Sequence, residues 1–171
     1  VYGSTKQYQF YCMDLAQRGF AVVSFNYHLA PRYKFPTPIL DLNLVMAWIC
    51  KKADIHGFDT KRVATVGDSA GAQLASQYAV ICTNQEYAEV MNVTPPDFDL
   101  RAIGLNCGMY DLKERAASIS DNKLMADYFT KDPSVYGRKL DVLSYVTDKF
   151  PPTYLLSAKG DFLLDHCEPM A

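Results

Sequence analysis

Short apolar runs alternate along this chain with longer stretches in which apolar residues recur every three or four positions. The run at 20–26 is short and β-branched, and it and the runs at 62–66, 101–106 and 153–158 read as strands. In 5–18, Tyr8, Tyr11, Cys12 and Leu15 fall at helical spacing, and Gly19 supplies a stop. In 39–53, Leu42, Val45, Met46 and Ile49 share one face, with Lys51 and Lys52 near the C-terminal end. A third helix is expected over 71–83, with the small residues Ala72, Ala75 and Ala79 along it. The stretch 29–38 holds three prolines and no period, so it reads as an irregular loop, and 84–100, with Pro95-Pro96, reads as a surface connection. Strands alternating with helices predict an α/β fold, a mostly parallel sheet with flanking helices. More than 40 residues separate the last two strands, with helical patches at 123–130 and 133–137. That is too long for a plain crossover, so an inserted or capping segment is expected at about 112–147. No repeat, low-complexity tract or linker divides the rest, and 1–171 reads as a single domain.

Composition narrows the function classes. The chain has 171 residues, 49% of them hydrophobic and 21% charged, the balance of a globule rather than of a disordered segment. Seventeen Lys and Arg against nineteen Asp and Glu give a net charge of -2, which offers no broad basic surface for nucleic acid. No apolar run is long enough to span a membrane. Five scattered cysteines, none in a C-x-x-C pattern, point to a reduced and therefore cytoplasmic setting.

The sharpest local pattern is Gly67-Asp68-Ser69-Ala70-Gly71, a G-x-S-x-G placed between a strand and a helix. Such a turn is too tight for side chains beside it, hence glycine at both flanks. It lifts the Ser69 hydroxyl above the sheet and sets the Ala70 N–H at a helix N-terminus, where it can stabilise an oxyanion. A serine nucleophile needs an acid and a base. Asp111 and Asp161 both follow later strands onto the same sheet edge, and position alone does not choose between them. Of the three histidines, His56 reads as a surface residue and His28 as a structural loop residue. His166 follows Asp161 too closely to share its imidazole with that acid.

Taken together, these residues resemble the hormone-sensitive-lipase-like branch of the α/β-hydrolases. The loop Asn26-Tyr27-His28-Leu29-Ala30-Pro31-Arg32-Tyr33-Lys34-Phe35-Pro36 is similar to that branch's Y-R-L-A-P-E-x-x-F-P, and 67–71 to its G-D-S-A-G elbow. The stretch from Ser157 to Asp165 resembles its acid loop and thereby selects Asp161. The resemblance implies a serine carboxylesterase acting on short-chain acyl esters. Ser69 is then the nucleophile, Asp161 the triad acid, Ala70 N–H an oxyanion donor, and Gly67, Asp68 and Gly71 the elbow. It implies no cofactor and no metal, and a small-molecule ester as substrate, with the oligomeric state left open. An amidase or peptidase on the same fold, or an inactive module, are the alternatives.

Three departures set further expectations. Only the tail of the oxyanion loop, Val1-Tyr2-Gly3-Ser4, is visible, and no histidine follows where that branch keeps its catalytic one. The sequence thus reads as a partial fold, lacking N-terminal strands and the C-terminal strand with its His loop. If so, 20–26 and 62–66 should not be hydrogen-bonded side by side. Finally, His28 and Arg32 stand where the branch has Arg and Glu, and Arg32 is expected to pair with Asp68 and steady the turn.

Overall fold

The computed structural model describes residues 4–117 and 122–171. Three parallel strands, β1 (Val63–Asp68), β2 (Leu100–Asn106) and β3 (Thr153–Leu156), lie in the order β1-β2-β3. The helices before β1 are α1 (Gln9–Gln17), α2 (Thr37–Lys51) and the single turn α3 (Ala53–His56). Between β1 and β2 run α4 (Ala70–Thr83) and α5 (Gln85–Met91), and between β2 and β3 run α6 (Leu112–Ala117) and α7 (Lys123–Tyr128). Tight 3₁₀ turns at Pro133–Leu140 and Leu143–Tyr145 lead into β3, and two more close the chain at Leu164–His166 and Glu168–Met170.

The centre of the molecule is α4, buried from Ala72 through Ile81. Its small residues Ala72, Ala75 and Ala79 let the helix lie close on Ile103 and Leu105 of β2. Its larger ones, Leu74, Tyr78 and Ile81, pack with Ile39, Leu42 and Met46 of α2. The polar side chains caught inside are bonded: Gln73 Nε2 donates to Gln77 Oε1 at 2.9 Å, and Gln77 Nε2 to the Tyr87 hydroxyl at 2.8 Å. That hydroxyl donates in turn to the Lys139 carbonyl at 2.7 Å, so the network joins α4, α5 and the 3₁₀ turn at Pro133–Leu140.

The expected strands at 62–66, 101–106 and 153–158 correspond to β1, β2 and β3. The run 20–26 differs. It forms no regular element and pairs with no strand among the described residues, although Phe25 still packs against the core. Its β-branched composition suits a strand, but a strand exists only where a neighbour presents carbonyls and amides. As expected, 20–26 and β1 are not hydrogen-bonded side by side. The connection 84–100 is more ordered than its composition predicts. Asn84 caps α5 by accepting from Tyr87 N at 3.1 Å, and Tyr87, Ala88 and Met91 bury the helix.

Part of the expected inserted segment, 118–121, lies outside the described residues. The portion that is described is fastened by the proline-rich loop. Lys34 Nζ donates to the carbonyls of Ala126, Asp127 and Phe129 at 3.0, 2.8 and 2.7 Å, a cation on the carbonyl end of α7. Phe35 N donates to the Tyr128 carbonyl at 2.9 Å, and the Phe35 ring packs among Tyr128, Phe129 and Tyr136. These aromatics of the segment are core.

Candidate active site

β1 ends in the sharp turn that the glycine spacing predicts. Ser69 sits at φ 55°, ψ -116°, a conformation that costs a non-glycine residue of order 1–3 kcal/mol and must be imposed by its surroundings. One constraint is steric: a Cβ on Gly67 would lie 2.2 Å from the Gly71 carbonyl carbon and oxygen. A second is a hydrogen bond from Ser69 N to the Asn106 carbonyl at 2.8 Å, which carries the β1–β2 ladder one residue further. The expectation of glycine at both flanks is only half met, because a Cβ on Gly71 meets no atom within 4 Å among the described residues. The close approach is made by Gly67 against the backbone of Gly71, so only the first glycine is sterically required here.

After the turn, α4 begins at Ala70, and its first free amides follow Ser69 directly. Neither Ala70 N nor Gly71 N has an acceptor among the described residues. The Ala70 N–H therefore stands at the positive end of a 14-residue helix.

The other two strands end on the same edge. Cys107, just past β2 at φ 48°, donates its amide to the Leu156 carbonyl at 2.7 Å. Its thiol is pushed up by burial first, then by the Asp161 carboxylate it faces and by Asp68. Asp161 Oδ1 accepts from Leu163 N at 2.7 Å, which fixes the turn after β3. Asp111, the other candidate acid, accepts from Glu114 N at 2.8 Å and caps α6.

No imidazole hydrogen-bonds Ser69 or Asp161 among the described residues. His28 Nδ1 faces Asp41 at 2.9 Å and its ring packs on Tyr33. His56 is stacked with Phe58, and His166 closes a 3₁₀ turn. Arg32 does not meet Asp68: its guanidinium lies 5.3 Å over the Tyr33 ring, a contact available from the adjacent residue without crossing to the elbow. Asp68 has a partner that sequence reasoning missed. The Tyr8 hydroxyl donates to its Oδ2 at 2.7 Å, across 60 positions of chain. Among the described residues, no three His, Cys, Asp or Glu side chains gather into a metal site.

The BD-FAE family model matches residues 2–170. The chain belongs to the BD-FAE family. Across 163 residues this BD-FAE chain is 24% identical to the esterase LipQ of Mycobacterium tuberculosis, covering 92% of itself and 38% of that relative. A shorter stretch of 77 residues is 39% identical to the ethyl acetate hydrolase of Pseudomonas putida, covering 44% of this chain and 24% of that one. In solved structures it resembles esterase B from Lactobacillus rhamnosis, with a TM-score of 0.81 and 26% identity over 99% of this chain and 55% of that one. The α/β-hydrolase fold and the esterase kinship read from the loop and elbow residues are thus shown. The BD-FAE chain spans about half the length of that esterase and less of the curated relatives, with shares of 55%, 38% and 24%.

Proposed function

We propose that this chain carries the nucleophile and the acid of a serine carboxylesterase acting on short-chain acyl esters. The observation that carries the reading is the backbone of Ser69, held at φ 55°, ψ -116° between β1 and α4, with amides directly after it that find no acceptor among the described residues. A structural turn has no need of a strained serine at a helix N-terminus, whereas a nucleophile does.

In this reading Ser69 Oγ attacks the ester carbonyl carbon while its proton passes to an imidazole contributed from outside these 171 residues. The carbonyl oxygen takes up the negative charge against Ala70 N–H. Collapse of the tetrahedral intermediate expels the alcohol, which takes the proton from the imidazolium, and leaves an acyl group on Ser69. Water then repeats the sequence, releases the carboxylic acid and restores the hydroxyl. Asp161 orients the imidazole and stabilises it when charged.

A second reading rests on the same histidines. Since none of the three contacts Ser69 or Asp161, an inactive module is the rival. The test is intact-mass spectrometry of the protein expressed from its complete reading frame, with and without a fluorophosphonate. One adduct mapping to Ser69 and lost in Ser69→Ala supports the esterase, and an unlabelled protein that turns over no p-nitrophenyl butyrate supports the module. Matched ester and anilide substrates then separate esterase from amidase.

A further inference from the structure

We propose that Tyr8 is a positioning residue for the ester-hydrolysing turn, clamping Asp68 so that Ser69 keeps its reactive conformation. This rests on the reading of Ser69 as nucleophile and goes beyond it.

A residue at φ 55° relaxes unless its neighbours are held. Two sides of the turn are fixed by Gly67 against the Gly71 and Ala72 backbone and by Ser69 N on the Asn106 carbonyl. The third is the residue immediately before the serine. Asp68 is exposed, has no ion-pair partner among the described residues, and is held by the Tyr8 hydroxyl at 2.7 Å. A neutral donor on a carboxylate makes a charge-assisted hydrogen bond, stronger than a neutral pair. The same contact, with burial, raises the Tyr8 phenol to about 12, so it stays a donor throughout the working range of an esterase.

The clamp also has a firm base. Tyr8 stands at the N-cap of α1, at the end of a turn locked by Gln7 N on the Ser4 carbonyl and by Ser4 N on Gln7 Oε1, both at 2.9 Å. That turn is tied again at Thr5, whose amide donates to Asn26 Oδ1 at 3.0 Å. A fixed turn therefore reaches the elbow through one phenol. Losing the phenol's hydrogen bond leaves substrate binding alone but misplaces Oγ and the Ala70 amide, which matter in the transition state.

The experiment is Tyr8→Phe in the protein expressed from its complete reading frame, assayed on p-nitrophenyl butyrate and by the rate of fluorophosphonate labelling at Ser69. We expect kcat and the labelling rate to fall together by about tenfold, with KM within about twofold. Asp68→Ala should behave like Tyr8→Phe, Asp68→Asn, which keeps an acceptor oxygen, should lose less, and the Tyr8→Phe/Asp68→Ala double variant should lose no more than either single one. Wild-type kcat and labelling in Tyr8→Phe, or losses that multiply in the double variant, would overturn the clamp while leaving Ser69 as nucleophile. A parent protein neither labelled at Ser69 nor active would overturn both.

Discussion

Gly67 is the residue on which the turn depends, because the place its Cβ would take is occupied by backbone four and five residues later, at Gly71 and Ala72. Backbone cannot swing aside as a side chain can, so Gly67→Ala should cost about 3 kcal/mol by urea unfolding. Gly71→Ala, with open space around it, should be neutral or stabilising by up to about 1 kcal/mol through helix propensity. The two glycines look equivalent in the motif, and only the three-dimensional approach tells them apart. Tyr8 was illegible for a related reason: its partner lies 60 positions away and no short spacing marks it. Its titration gives a signed prediction. Folding raises the phenol from 10.0 to about 12, so the hydrogen bond's contribution to stability is whole below pH 10 and fades as pH rises through 12. The difference in Tm between parent and Tyr8→Phe should stay constant from pH 7 to about 9 and shrink above about 10. Cys82 provides a test of burial: its thiol is pushed up to about 12, mainly by desolvation. Since the thiolate is the reactive form, alkylation by iodoacetamide at pH 8 should run about a thousandfold slower at Cys82 than in the urea-unfolded chain.

At the scale of elements, the hydrophobic period was sufficient wherever a segment buries one continuous face. The helix expected over 39–53 and the observed α2 share Leu42 and Met46 as buried positions. The period misled at 20–26, where composition described a strand but no paired neighbour exists among the described residues. It was under-read at 84–100, where Pro95-Pro96 hid a capped helix whose Tyr87, Ala88 and Met91 already had helical spacing. The attachment of α7 was beyond any local pattern, since a lysine in a loop 92 to 95 positions away caps it. Lys34→Met keeps the aliphatic stem and removes three charged hydrogen bonds, so it should cost about 2 kcal/mol. Hydrogen exchange localises the effect: amides of 123–130 should exchange faster, while those of α4, which Lys34 does not touch, should not change.

Over the whole molecule, strand register divides the sheet into a covered and an open face. Thr65 aligns with Ile103, and Leu105 aligns with both Gly67 and Leu155, so these residues share the face on α4. Val66, Tyr154 and Leu156 alternate onto the other face, where they are 49%, 67% and 45% exposed. α1 does not cover them, having no buried residue of its own, with Phe10 73% exposed. Parallel sheets occur almost only with both faces covered, and β1 has no second neighbour among the described residues. Sequence could not reveal this, because Val66 looks like any interior valine of a parallel strand. The consequence is a prediction with opposite signs in two settings. In the 171-residue chain expressed alone, Val66→Lys adds a charge to an apolar face in water, so light scattering and dye binding should fall and the unfolding midpoint should hold. In the protein expressed from its complete reading frame, a covered face would bury that lysine and lower stability by about 2 kcal/mol or more. Equal tolerance in both settings would mean that this face stays open to solvent in the working protein, and that α4 alone supports the sheet beneath Ser69.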